Sequence, residues 1–146
     1  MKIYLDNCAI QRPLDSRTQL RIILEIEAIR GIVGLCESGQ LELVTSQVLL
    51  YEIYRNQNEI RKQFALKVLS KGVEYVEMTD QVSGRARILT EAGFKPIDAL
   101  HLASAEEAGV DYFCTCDDRL RRRGKAYQEL RIEVVSPIDL ILEIDK

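Results

Sequence analysis

Four acidic residues stand at the ends of predicted strands or in the helices that follow them. They are Asp6, Glu52, Asp98 and Asp117. Because ligands bind beyond the carboxyl ends of the strands in open α/β sheets, we expect these carboxylates to share one edge. Converging carboxylates repel one another unless a cation neutralises them, and Mg²⁺ or Mn²⁺ prefers such oxygen ligands. The pattern therefore predicts a metal site that could activate water and shield the charge of a phosphodiester.

Individual acids also have simpler structural interpretations. Asp98, two residues after Pro96, would interact favourably with a helix dipole in the first helical turn, without any metal. Asp117 is followed directly by Asp118, and one of two adjacent acids must point elsewhere. The sequence favours Asp117 as the site acid but leaves the choice between the two open.

Alternating apolar patterns predict the elements that would position these acids. Five strands are expected within residues 2–8, 41–45, 73–78, 111–116 and 132–135, with helices between them. This alternation predicts a three-layer α/β/α sandwich with a central parallel sheet of about five strands, in a single domain over residues 1–146. Asp15 or Ser16 is expected to cap the long helix that follows, and Ser46 the next one.

The composition is typical of a globular protein, with 47% apolar residues, 29% charged residues and a net charge of −3. No apolar run approaches the roughly 20 residues needed to cross a bilayer, so no membrane association is expected. The polar residues Lys2 and Asp6 argue against a signal peptide, which predicts a cytoplasmic protein. The four cysteines are interpreted as buried, reduced thiols rather than as zinc ligands.

A basic run and a single histidine follow two of the acids. The run from Arg119 to Lys125 could contact phosphate groups beside the acidic edge, or it could be a solvated helix face. His101, one turn after Asp98, could act as a general base. A structural histidine with satisfied hydrogen bonds is the favoured interpretation, because a metal can activate water without it.

Several short stretches resemble the PIN domain family, and most closely its small VapC-type toxin ribonucleases. They are Leu5-Asp6, Glu52 after Ser46-Gln47-Val48, the run from Pro96 to Ala103 that contains IDALHLA, and Thr115-Cys116-Asp117-Asp118-Arg119-Leu120. The resemblance spans the whole chain and implies an α/β/α sandwich with a parallel sheet. One difference is Asn7, because the family usually has Thr or Ser at this position.

The resemblance implies a metal-dependent endoribonuclease that acts as the toxin of a type II toxin–antitoxin pair. Asp6, Asp98 and Asp117 would bind the metal, Mg²⁺ or Mn²⁺. Glu52 would complete the catalytic set. The possible RNA contacts are Arg119, Arg121 and Arg122. An antitoxin partner and a homodimer are implied as well.

Three other functions use similar residues. A phospho-receiver domain would combine an acidic pocket with a pair such as Lys95-Pro96, but its acidic pair should follow the first strand, where only Asp6 stands. A phosphatase of the haloacid dehalogenase type needs a second Asp at the position of Cys8. A PIN-like fold that only binds and does not cleave stays open, although the complete acidic quartet argues against it.

Overall fold

The computed structural model describes all 146 residues of the chain. Five strands form its sheet: β1 Lys2–Leu5, β2 Glu42–Ser46, β3 Glu74–Val76, β4 Tyr112–Cys114 and β5 Glu133–Val135. All neighbours are parallel, and the strand order is β3-β2-β1-β4-β5. The predicted parallel sheet of five strands is confirmed.

Eight α-helices flank this sheet. They are α1 Asn7–Gln11, α2 Leu20–Glu37, α3 Gln47–Tyr54, α4 Glu59–Leu69, α5 Asp80–Glu91, α6 Pro96–Ala108, α7 Asp118–Ala126 and α8 Pro137–Ile144. Helix α2 packs against α8, and α6 packs against α5 and α3. The basic run from Arg119 to Lys125 lies within α7 and is helical. None of the helices is both long and apolar enough to span a membrane.

The central strand β1 is almost wholly enclosed. Ile3, Tyr4 and Leu5 have no solvent exposure, and the Tyr4 ring stacks on Phe113 with centroids 5.2 Å apart. A continuous apolar run of this kind is typical of a parallel strand that is covered on both faces. Because β1 lies between β2 and β4, the strand order reverses at its carboxyl end, which opens a crevice directly beyond it.

Helix caps confirm part of the sequence prediction. The Oγ of Ser46 accepts the N–H of Leu49 at 3.1 Å and caps α3, as expected. The predicted cap of α2 is wrong, because α2 begins after Gln19 without a side-chain cap. Asp15 instead forms ion pairs with Arg12 and Arg61, each at 2.9 Å. Between β1 and α2 the chain forms α1 and a short 3₁₀ turn at residues 12–14.

Candidate active site

One cavity of about 190 Å³ contains all four acids that the sequence singled out. Its lining consists of Asp6, Asn7, Cys8, Glu52, Asp98, His101 and Asp117. The acids reach it from the end of β1, from α3, from the first turn of α6 and from the loop after β4. The crevice at the carboxyl edge of the sheet therefore gathers side chains that lie up to 111 residues apart in the sequence.

Asp6 is the most enclosed of the four acids, with 5% of its surface exposed. It caps α1, because its Oδ1 accepts the N–H of Ala9 at 3.1 Å. The thiol of Cys8 donates to the same oxygen at 3.1 Å. Burial raises the pKa of Asp6 well above its usual range. Cys8 corrects one expectation, since it is an exposed residue of the cavity lining, whereas the other three cysteines are buried.

Asp117 lines the cavity, and the adjacent Asp118 does not. Asp117 caps α7, since its Oδ1 accepts the N–H groups of Arg119 at 2.9 Å and of Leu120 at 3.2 Å. The carboxylate of Asp118 is turned to Arg21, whose two terminal nitrogens donate to it at 2.6 and 2.8 Å. The sequence left open which of the two aspartates is the site acid; in the structure Asp117 faces the cavity, while Asp118 pairs with Arg21.

Glu52 and His101 form a pair at the cavity wall. The Oε1 of Glu52 lies 2.8 Å from Nε2 of His101, and Nδ1 of this buried imidazole lies 2.6 Å from the Tyr4 hydroxyl. Both ring nitrogens are thus occupied by protein groups. This arrangement agrees with the structural interpretation of His101 that the sequence favoured.

Asp98 responds to the other acids of the cavity. Partial burial raises its pKa above the usual value, and the negative charges of Asp117 and Glu52 raise it further, while His101 and Lys95 oppose the shift. Like charges therefore lie close enough to interact, which is the electrostatic condition that a cation would relieve.

The donor types of the cavity fit a hard divalent cation. Carboxylate oxygens and the amide of Asn7 are ligands that Mg²⁺ and Mn²⁺ accept. However, no three His, Cys, Asp or Glu side chains lie close enough together to hold a metal ion in the present arrangement. Asp6 and Asp117 each use Oδ1 to cap a helix. The residues suit the metal chemically, but they do not form a complete coordination sphere.

A second cavity of about 330 Å³ adjoins the first and shares Asp98 and Asp117 with it. Its cationic lining consists of Lys95, Arg119 and Arg123, none of which takes part in any ion pair of the structure. Arg122 is also free of ion pairs and lies with Arg119 and Arg123 at a shallower site. In contrast, Arg121 is engaged by Asp118 at 3.3 Å and by Asp139 at 3.9 Å.

Sequence reasoning missed two members of this cationic cavity. Arg123 was part of the basic run, but it was not singled out, and Lys95 was considered only as part of a receiver motif. Arg123 packs against the backbone of Gly93, where the guanidinium would collide with any Cβ. The helical spacing of Arg119 and Arg123, four residues apart, is the signal that could have grouped them on one face.

The family model of the PIN domain matches residues 3–126, which is most of the chain, so this protein belongs to the PIN domain family. PIN domains are generally nucleases. The resemblance seen in the acidic motifs is thereby confirmed. No curated protein matches the chain.

Several solved structures share the fold at low sequence identity. VapBC2 from Rickettsia felis, bound to a DNA fragment from its promoter, contains a chain with 12% identity and a TM-score of 0.61, covering 93% of this chain and 98% of its own. PAE2754 from Pyrobaculum aerophilum is 16% identical with a TM-score of 0.59, and the match covers 99% of this chain and 90% of that one. VapBC-1 from nontypeable Haemophilus influenzae is 15% identical with a TM-score of 0.54, and the match covers 94% of this chain and 99% of that one.

Asp6 and Asp118 lie in opposite electrostatic environments, so replacing each of them with Asn should change stability in opposite directions. Ionised Asp6 destabilises the metal-free fold at neutral pH, because burial raises its folded pKa above the unfolded value. Asp6→Asn keeps a side-chain oxygen to cap α1 and should raise the melting temperature measured in EDTA. This gain should shrink as the pH falls through the raised pKa.

Asp118→Asn is the matched control. Arg21 lowers the pKa of Asp118, so the ionised form contributes stability at neutral pH that is lost as the pH falls through that lowered pKa. The pair is exposed, so the variant should lower stability only slightly, by roughly 0–1 kcal/mol. Equal shifts of the same sign in both variants would contradict the electrostatic description of the cavity.

Proposed function

We propose that this protein is a Mg²⁺- or Mn²⁺-dependent endoribonuclease and the toxin of a type II toxin–antitoxin pair. The observation that carries the proposal is the single cavity shared by Asp6, Glu52, Asp98 and Asp117 at the carboxyl edge of a PIN-domain sheet. Like charges are placed together there, although their repulsion destabilises the fold. A phosphodiester hydrolase that works with a divalent cation needs such an arrangement.

The residues of the cavity divide into two roles. Asp6, Asp98 and Asp117 would hold the metal, which when bound would supply an activated water and shield the phosphodiester charge. Glu52 uses Oε1 to contact His101, so its other oxygen stays available to orient the attacking water. Membership of the PIN domain family implies that hydrolysis would leave a 5′-phosphate and a 3′-hydroxyl.

The cations beside the acidic cavity suit the backbone of an RNA substrate. Among the contacts proposed from the sequence, Arg119 and Arg122 have no carboxylate partner, whereas Arg121 already pairs with Asp118. We therefore add Arg123 to the proposed set and assign Arg121 a mainly structural role. Free guanidinium groups next to a hydrolytic site can hold phosphates through charge-assisted hydrogen bonds.

An antitoxin and a second copy of this chain are the proposed protein partners. Two of the solved structures with this fold are named as VapBC assemblies, which supports a partner of that kind. A partner that silences the enzyme would cover the acidic cavity. A cationic side chain, best an Arg, would pair with the carboxylates of Asp6 and Asp98 in bidentate fashion.

A catalytically silent binding module is the alternative function. The absence of a close three-ligand cluster favours it, as does Asn7 at a position where the family usually has a hydroxyl. A phospho-receiver function loses support, because the observed strand order differs from the 2-1-3-4-5 order of that fold.

Cleavage assays distinguish the nuclease from the silent module. The wild type should cleave a set of structured RNAs in Mg²⁺ or Mn²⁺ and stop when EDTA is added. Asp6→Asn should lower the cleavage rate by more than ~100-fold. Mutating a residue that only orients a metal ligand commonly costs about 10–100-fold in activity, and Asp6 is proposed as a direct ligand. Asp118→Asn, which removes a neighbouring carboxylate outside the cavity, should keep most of the activity. Equal cleavage by wild type and Asp6→Asn, or cleavage that resists EDTA, would refute the proposed mechanism.

Binding of RNA should depend on the free arginines of α7. In the Asp6→Asn background, where cleavage is suppressed, Arg119→Gln with Arg123→Gln should weaken binding to single-stranded RNA. Each lost phosphate contact should reduce the slope of log K against log salt by about 0.7. Arg121→Gln is the control and should change the slope much less, since its guanidinium is already paired. A slope that is unchanged in the double variant would place the RNA elsewhere.

The toxin role predicts an inhibitor encoded beside this chain. A small protein from the adjacent gene should co-purify with the wild type and relieve growth inhibition caused by its expression. Asp6→Asn should weaken that complex, because one carboxylate partner of the inhibiting cation is lost. If no complex forms and growth is not rescued, the toxin role fails, while the nuclease proposal is judged by its own assay.

A further inference from the structure

A chain of hydrogen bonds runs from the core of the sheet to the acidic cavity. The Oγ of Ser46 accepts the N–H of Leu49 at 3.1 Å and lies 2.6 Å from the hydroxyl of Tyr4. That hydroxyl lies 2.6 Å from Nδ1 of His101. Nε2 of His101 lies 2.8 Å from Oε1 of Glu52. The chain therefore links β2, β1, α6 and α3 to one carboxylate oxygen in the cavity.

The inner members of this chain are sealed from solvent. Ser46 and Tyr4 are fully buried, and 2% of the His101 surface is exposed. The Tyr4 ring is clamped by stacking on Phe113 and by an edge contact with the imidazole, whose centroid is 5.7 Å away. Because water cannot reach these polar atoms, each must form its hydrogen bonds with other protein groups.

The hydrogen bond that Ser46 accepts from the backbone fixes which group donates and which accepts at each later step. Its oxygen already accepts a backbone N–H, so its own hydrogen can point to Tyr4 and satisfy both hydroxyl oxygens. Tyr4 then donates to Nδ1 of His101, which must carry no proton. The proton of the neutral imidazole consequently sits on Nε2, where it faces the carboxylate of Glu52.

The opposite direction leaves buried groups unsatisfied. If Nδ1 donated to Tyr4 and Tyr4 donated to Ser46, the Ser46 hydrogen would have no acceptor in a sealed interior. Nε2 would then either present a lone pair to the Glu52 carboxylate or carry a proton as well, and the imidazolium formed in the second case would pair with Glu52 but would still leave the Ser46 hydrogen without an acceptor. Only the direction that begins at Ser46 uses every donor and acceptor.

We infer that His101 is a positioning residue that holds Glu52 through a neutral Nε2–H tautomer fixed by Tyr4 and Ser46. A nitrogen that donates to Glu52 cannot accept a proton from water, so His101 is not the general base. It restrains Oε1 and leaves the second carboxylate oxygen free at the cavity. The kinetic consequence of this assignment rests on the proposed nuclease function, whereas the tautomer itself does not.

Nitrogen NMR tests the tautomer without any assay of activity. The chain contains one histidine, so the imidazole signals of ¹⁵N-labelled, metal-free protein need no assignment between residues. At neutral pH we expect Nε2 to show the shift of a protonated nitrogen and Nδ1 that of an unprotonated one. A protonated Nδ1, protons on both nitrogens, or averaged shifts from a tautomer mixture would each overturn the inference.

Two amide substitutions separate positioning from simple packing. In His101→Gln the terminal amide can occupy the place of Nε2 and still donate to Glu52. In His101→Asn the shorter amide can occupy the place of Nδ1 and reach Tyr4, but not Glu52. Both variants lose part of the buried network, so their melting temperatures should fall by similar amounts.

The kinetic result expected from this pair is asymmetric. His101→Asn should lower kcat by at least ~10-fold with little change in KM for RNA, as is typical when an orienting partner is lost. His101→Gln should retain most of the wild-type kcat. Equal losses in both variants, or losses that follow the melting temperatures, would show a merely structural role. If the wild type itself does not cleave, the proposed nuclease function fails, and the NMR result alone decides the tautomer.

Discussion

Electrostatic repulsion among the carboxylates at one sheet edge is the constraint on which the rest of this structure depends. The fold relieves part of it with helix N-termini, where free N–H groups and the helix dipole favour negative charge. Asp6 caps α1, Asp117 caps α7, and Asp98 lies in the first turn of α6. Three helices therefore point their N-termini at one cavity and keep like charges together in the absence of a metal ion.

Ion pairs outside the cavity determine which of the two adjacent aspartates faces it. The carboxylate of Glu25 is almost fully buried and lies 3.0 Å from Arg12 and 3.5 Å from Arg21. The same Arg21 pairs with Asp118, which ties the start of α2 to the start of α7. The Arg21–Asp118 pair is exposed and adds little to stability, because solvent screens the attraction between the two charges. Here it keeps Asp118 away from the site and leaves Asp117 to face it.

The sequence predicted those features of the fold that depend on local patterns. Buried parallel strands read as short apolar runs, and the cap of α3 by Ser46 follows from residue type and position. The failed cap at Asp15 shows the limit, since Arg61, 46 residues away, pairs with that carboxylate. The link from Tyr4 to His101 spans 97 residues and carries no sequence signal of its own. Contacts of this range become visible only when the strand order is known.

Direct measurement of metal binding tests the central claim most simply. Metal-free protein should be titrated with Mn²⁺ and followed by calorimetry and electron paramagnetic resonance, with Asp6→Asn and Asp118→Asn in parallel. We expect saturable binding to the wild type and to Asp118→Asn, and an affinity at least ~10-fold weaker for Asp6→Asn, because a neutral amide is a poorer ligand for a hard cation. Absence of saturable binding, or equal affinity in wild type and Asp6→Asn, would contradict the assignment of the acidic cavity as a metal site.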